Sequence, residues 1–300
     1  MPGEQMVTTA DGIELCYETF GDPGDEPLLL VMGLGAQMIL WPVELCEALV
    51  DRGFHVIRYD NRDVGRSTKL ADVGGDFLST FAAAAQGEPV EAAYRLTDMA
   101  ADAVGLLDAL GIESAHVVGA SMGGMIAQAI AIEHPTRVRT LTSIMSMTGE
   151  PEYGQPTPEA MQMLLRPAPT TREEAIEASL ASWQVIGSPG LYDEERTRAH
   201  AGAAYDRCFN PAGTARQLLA IVASGSRADG LRTLDVPTLV IHGDADPLVT
   251  PSGGERTAAL VPGATLLMIP GMGHDLPLPL LPQIVDAITA LVARTAASPA

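Results

Sequence analysis

The 300-residue chain predicts an α/β fold: a mostly parallel central sheet flanked by helices, with an inserted helical cap. Three observations predict it. Apolar runs of strand length alternate with stretches of helical periodicity, the pattern of strands joined by crossover helices. One such run, His116 to Ala120, passes through Ser121 straight into a helical pattern, with a glycine two residues to either side of the serine. Between Gly149 and Gly230 the strand runs stop, and proline-dense and then helical segments replace them.

Taken in order, Ile13 to Phe20 alternates in polarity as a strand does, and Ala10-Asp11-Gly12 before it is a turn that closes a hairpin with Met6 to Thr9. Leu28 to Met32 and His55 to Tyr59 are short apolar runs, as expected of central strands covered on both faces, with a helix at Glu44 to Arg52 between them. Leu96 to Leu110 and Met122 to Glu133 have helical spacing, and Pro135 ends the second. Thr140 to Met145, Thr238 to Ile241 and Thr265 to Ile269 are further runs read as central strands. Proline is dense from Pro151 to Pro169, and helices are expected at Thr171 to Gln184, Asp193 to Asp206 and Gly213 to Ser224. Asp193-Glu194-Glu195 places acidic groups at the positive end of a helix dipole. Gln283 to Arg294 is the last helix, with Pro282 in its first turn. The chain therefore divides into 1–148, the first part of a core, 149–230, a helical cap, and 231–300, the rest of the core.

Hydrophobic residues make up 47% of the chain, enough for a large core in one domain. The apolar runs are of strand length, well short of the roughly 18 residues that cross a bilayer, so no membrane span is expected. Formal net charge is −20, from 38 acidic against 18 basic residues, and Lys69 is the single lysine. Such a surface repels phosphate backbones and anionic headgroups, which excludes nucleic acid as an expected partner. Met1-Pro2-Gly3-Glu4 begins without a basic region or apolar core, and the three scattered cysteines, Cys16, Cys46 and Cys208, suit reduced thiols; a cytoplasmic location is expected.

The chemistry is carried by Gly119-Ala120-Ser121-Met122-Gly123. A strand, a very sharp turn and a helix form a nucleophile elbow, and larger side chains two residues from the serine would collide as the turn tightens. A serine nucleophile needs a base, and the base an orienting acid. Gly271-Met272-Gly273-His274 follows an apolar run, and its glycines let a loop carry His274 across to Ser121. The run Val236 to Ile241 leads into an acidic turn with two candidate acids: Asp244, nearer the strand end, and Asp246, stiffened by Pro247. The other five histidines, His55, His116, His134, His200 and His242, are read as structural. No metal-ligand spacing is present, and no cofactor or metal is expected.

With these motifs the chain resembles the α/β-hydrolase superfamily and, within it, esterases of the aclacinomycin-methylesterase type from actinobacteria. The elbow, the acid turn and the His274 loop carry the likeness, as do Leu28-Leu29-Leu30-Val31-Met32-Gly33-Leu34-Gly35 through Trp41-Pro42 and Val56-Ile57-Arg58-Tyr59-Asp60-Asn61-Arg62-Asp63-Val64-Gly65-Arg66-Ser67-Thr68. It is weakest from about Glu150 to Gly230. The resemblance implies the order Ser, Asp, His along the chain, and it selects the acid directly before proline, Asp246. It also implies an oxyanion hole made by the amides of Leu34 and Met122. Many members carry His-Gly where this chain has Met32-Gly33; because the amides do the work, the change need not abolish the hole. The Asp60 to Ser67 loop is expected to buttress the sheet beside the active-site opening.

Hydrolysis of carboxylic esters without a cofactor is the expected activity, on a small-molecule ester that is neutral and moderately hydrophobic. Leu34, Met122, Met145 and Met272 are expected to converge above Ser121 as apolar walls, with the cap helix containing Trp183 closing over them. A natural-product methylesterase, a cofactor-free perhydrolase or haloperoxidase, and a non-catalytic ligand-binding relative remain as alternatives, and a homo-oligomer is compatible with the sequence.

Overall fold

The computed structural model describes residues 3–70 and 90–296. Strands β1 (Gln5–Thr8) and β2 (Glu14–Phe20) pair antiparallel as the expected hairpin. β3 (Glu26–Val31), β4 (Phe54–Tyr59), β5 (Ala115–Ala120), β6 (Val138–Ile144), β7 (Thr238–Gly243) and β8 (Thr265–Ile269) are parallel to one another. β2 joins them antiparallel through β4, so the described residues form an eight-stranded sheet in the order β1-β2-β4-β3-β5-β6-β7-β8.

Alternation along the strands splits the core in two. Leu28 and Leu30 face one side with Val56, Val118 and Ile241, against α1 (Val43–Val50) and the C-terminal helix. Leu29 and Val31 face the other with Ile57 and Val117, against α2 (Leu96–Ala109) and α3 (Met122–Glu133). Residues one apart on a strand point to opposite faces, so near-continuous apolar runs are what a sheet covered on both sides requires. β8 departs from that expectation: it is an edge strand, Thr265 and Leu266 are exposed, and only Ile269 is fully buried.

A helical insertion lies between β6 and β7. It contains α4 (Pro158–Leu164), α5 (Arg172–Ile186), α6 (Glu194–Arg207), α7 (Pro211–Ser224) and α8 (Ala228–Arg232). Thr171 caps α5 by accepting the Glu174 amide, and Asp193 caps α6 by accepting the Arg196 amide at 2.9 Å. α4, α8 and α9 (Ser252–Leu260) are helices that the sequence pattern does not announce. The last helix, α10 (Leu281–Ala296), starts before its expected bound and has Pro282 in its first turn. A stretch containing most of it, Leu278–Thr295, is long and apolar enough by composition to cross a membrane, a property hidden from a count of unbroken apolar residues. Here Leu281, Ile284, Val285, Ile288 and Leu291 form a buried stripe packed on the sheet.

Candidate active site

Ser121 stands between β5 and α3 with φ 58° and ψ −123°, a left-handed conformation that costs a non-glycine residue on the order of 1–3 kcal/mol. The surroundings hold it there. The Ser121 amide donates to the Ile144 carbonyl at 2.9 Å, and the Ser146 hydroxyl donates to the Ser121 carbonyl at 2.8 Å. A β-carbon on Gly119 would overlap the Gly123 carbonyl, so the two glycines let β5 and α3 cross at contact. The strained turn aims the hydroxyl away from the sheet, with the positive end of α3 beneath it.

The loop after β8 brings His274 over this hydroxyl: Nε2 lies 2.9 Å from Ser121 Oγ, and Nδ1 lies 2.7 Å from Asp246 Oδ2. Asp246 is 3% exposed, and its other oxygen accepts the amides of Leu248 at 2.9 Å and Val249 at 3.0 Å. A carboxylate fixed in this way accepts a hydrogen bond from Nδ1–H and so favours the tautomer in which Nε2 is an acceptor facing the serine. Asp244, the competing acid, is exposed and accepts the Gly271 amide at 2.7 Å; it braces the turn that leads to His274. His242 lies 3.6 Å from Asp246 Oδ2, but its Nε2 meets the Val249 carbonyl at 2.8 Å. Burial pushes its pKa down, so it is neutral packing beside the acid.

Met32, Gly33 and Leu34 pass beside the serine: a β-carbon on Gly33 would lie 3.1 Å from Ser121 Cβ. The side-chain amide of Asn61 donates to the Met32 carbonyl at 2.9 Å and braces this loop, a service that needs no histidine at position 32. Among the described residues, neither the Leu34 nor the Met122 amide is a donor in a turn or loop hydrogen bond. A cavity of about 850 Å³ opens above Ser121 and His274, and Leu34, Met145 and Trp183 are in its walls.

Met272 corrects the expected pocket. It is fully buried in the core with Ile269, Leu281 and Ile284, and it does not line the cavity. The Met272 carbonyl accepts the Ala245 amide at 3.1 Å, which ties the loop to the acid turn. The Met122 side chain likewise packs in the core and does not line the cavity, contrary to the expected apolar wall. Apolar lining that sequence reasoning missed comes from Met163 on α4 and Ile186 at the end of α5, both carried in by the cap. Charged lining was missed too: Arg196 of α6 pairs with Glu44 of α1 through two 2.8 Å bonds that join cap to core.

The Asp60 to Ser67 loop is a buttress. Asp60 accepts the Met38 amide at 2.8 Å and the Arg66 amide at 2.9 Å, and pairs with Arg207 of α6 at 2.6 Å. Asp63, at φ 72°, accepts from Tyr94 at 2.8 Å and from Arg216 of α7 at 2.7 and 2.9 Å. Both carboxylates are buried and spent on holding the cap against the sheet.

Comparison with known proteins bears on the family and the fold. The family described as having the alpha/beta hydrolase fold matches residues 26–279. The chain is 33% identical to rhodomycin D methylesterase DnrP of Streptomyces peucetius, over 95% of this chain and 97% of that one. It is 32% identical to rhodomycin D methylesterase DauP of Streptomyces sp. strain C5, over 95% and 96%. Among solved structures it resembles a hydrolase from Pseudomonas aeruginosa PA01, with a TM-score of 0.68 and 25% identity over 98% of both chains.

Proposed function

The chain belongs to the α/β-hydrolase family, and from that premise we propose that it is a cofactor-independent serine esterase whose catalytic triad is Ser121, His274 and Asp246. The observation that carries the reading is the unbroken line of hydrogen bonds from Asp246 through His274 to Ser121, at 2.7 and 2.9 Å, on the floor of an apolar cavity. Ser121 Oγ attacks the ester carbonyl while His274 Nε2 takes its proton. Asp246 keeps the Nδ1 proton in place and faces the charge of the imidazolium. The amides of Leu34 and Met122 hold the oxyanion, each donor worth about 3 kcal/mol of barrier. His274 then returns the proton to the leaving alcohol. In the second half it takes a proton from water, which attacks the acyl-enzyme carbonyl, and returns that proton to Ser121 Oγ as the acyl–oxygen bond breaks and the acid leaves.

The substrate is a neutral ester with a substantial apolar body. A volume of about 850 Å³ is in the upper part of the roughly 300–1,000 Å³ range of sites for drug-sized molecules. Glu44, Asp193 and Asp275 add carboxylates to the lining, and its Arg196 is already paired, so anionic substrates are disfavoured. Likeness to methylesterases favours a methyl ester of a bulky acid, in which the acid fills the cavity and methanol leaves. Kinetics on p-nitrophenyl esters of increasing acyl length, beside methyl esters of bulky acids, test this. The expected result is kcat/KM rising from acetyl to butyryl and beyond, by up to about tenfold per pair of buried methylenes. A preference for acetyl, or for carboxylate-bearing esters, contradicts the pocket.

A further inference from the structure

The loop that carries His274 is fastened to the cap on both sides of the imidazole. The His274 amide donates to the carbonyl of Ile186, the last residue of α5, at 2.6 Å. One residue earlier, the Gly273 amide donates to the Ser188 hydroxyl at 2.8 Å. One residue later, Asp275 Oδ1 accepts both the Ser188 amide, at 3.0 Å, and the Ser188 hydroxyl proton. The hydroxyl therefore accepts from one side of His274 and donates to the other. Ser188 is 1% exposed. The fit is close: a β-carbon on Gly273 would lie 2.5 Å from the Gly187 carbonyl carbon, so the two backbones touch.

We propose that Ser188 and Asp275 are positioning residues that latch the C-terminal end of cap helix α5 onto the His274 loop, so that the imidazole is in register with Ser121 only while the cap is seated. This rests on the esterase reading for the role of His274, but not on it for the latch itself. Asp246 fixes the imidazole ring; nothing in that contact fixes the backbone from which the ring hangs. Before Gly273 that backbone is tied to the acid turn, through the Ala245 amide and Met272 carbonyl and through the Gly271 amide and Asp244 carboxylate, and at Gly273 and His274 it is tied to the cap, at Ser188 and Ile186. The cap contribution is the larger share at Gly273 and His274 themselves. Trp183, which lines the cavity, lies one helical turn before Ile186. Substrate that packs on Trp183 thus steadies the same helix end that holds the base. A displacement of even about 1 Å costs on the order of a hundredfold in rate, so these bonds are set where catalysis is sensitive.

The test uses the full chain and the variants Ser188→Ala, Asp275→Ala and Asp275→Asn, each checked for a near-native melting curve. Amide hydrogen exchange at Gly273 and His274 reads the latch, and kcat and KM for p-nitrophenyl butyrate read its consequence. Both alanine variants are expected to speed exchange at the two amides by about tenfold or more and to lower kcat by about ten- to a hundredfold with KM little changed. Asp275→Asn keeps an acceptor oxygen in place and is expected to stay within about threefold of the parent in both readouts. If Asp275→Ala unfolds, Ser188→Ala still removes the hydroxyl bonds to Gly273 and Asp275 from the cap side, while its backbone amide keeps its bond to Asp275. Unchanged exchange and kcat in the alanine variants, or an asparagine variant as impaired as the alanine one, overturns the proposal. Exchange that responds as expected in a protein that hydrolyses no ester upholds the latch and overturns the esterase reading alone.

Discussion

Gly123 and Val31 are packed backbone against backbone: a β-carbon on Gly123 would overlap the Val31 carbonyl oxygen. The first turn of α3 therefore rests directly on the end of β3, and that contact sets how far Ser121 stands above the sheet. Gly123→Ala is expected to cost about 3 kcal/mol or more of unfolding free energy, because the clash is with main chain that no rotamer change relieves. A urea midpoint within error of the parent would show that the two segments can part.

Asp246 and Asp244 separate by what they touch. Asp246 meets His274 Nδ1 and two amides, whereas among the described residues the Asp244 carboxylate meets only the Gly271 amide. Asp246→Asn is expected to fold and to lose about four orders of magnitude in kcat, since an amide favours the wrong tautomer of the base. Asp244→Asn keeps an oxygen for Gly271 and is expected to stay within about threefold. Steady-state kinetics on both variants check the ranking, and its reversal would move the acid role to Asp244.

His116, 3% exposed at the start of β5, links stability to pH. Burial lowers its pKa from 6.5 to about 4, with Arg139 adding to the effect and Glu26 opposing it. The folded chain thus holds it neutral where the unfolded chain protonates it. Its contribution is complete above pH 6.5 and is lost as pH falls toward 4, at most about 3 kcal/mol. Burial lowers His55 and His242 as well, in the same direction. His116→Gln removes one titrating group, so its urea midpoint is expected to fall less steeply between pH 6.5 and 4.5 than that of the parent. Parallel slopes would contradict the assignment.

Local backbone demands were legible in the sequence. A serine in left-handed geometry between a strand and a helix needs Gly119 and Gly123, and those letters stand at fixed offsets whatever the rest of the chain does. The parallel strands were legible for the same kind of reason, although an apolar run does not say whether a strand is central or, like β8, at the edge. Helix α9 was hidden by Gly253 and Gly254, which weaken helical signal. A β-carbon on Gly254 would run into the His242 ring, and one on Gly253 would press on Met147 and the Gly154 backbone. The direction of a loop side chain was not legible at all: Met272 turns into the core while His274 and Asp275 of the same loop line the site, a choice made by packing on Leu281 and Ile284. Nor was the Ser188–Asp275 contact, which joins residues 87 apart and exists only once the cap is docked.

Mass spectrometry of the protein and its peptides after treatment with a fluorophosphonate, run beside ester hydrolysis, tests whether Ser121 is the nucleophile. Ser121 acting as a nucleophile with His274 as base predicts one phosphonyl group per chain, located on Ser121, and parallel loss of esterase activity. Ser121→Ala should take up no label and lose nearly all hydrolysis while keeping its fold. An unlabelled parent protein, or a Ser121→Ala variant that keeps more than a few per cent of activity in a clean preparation, would contradict it.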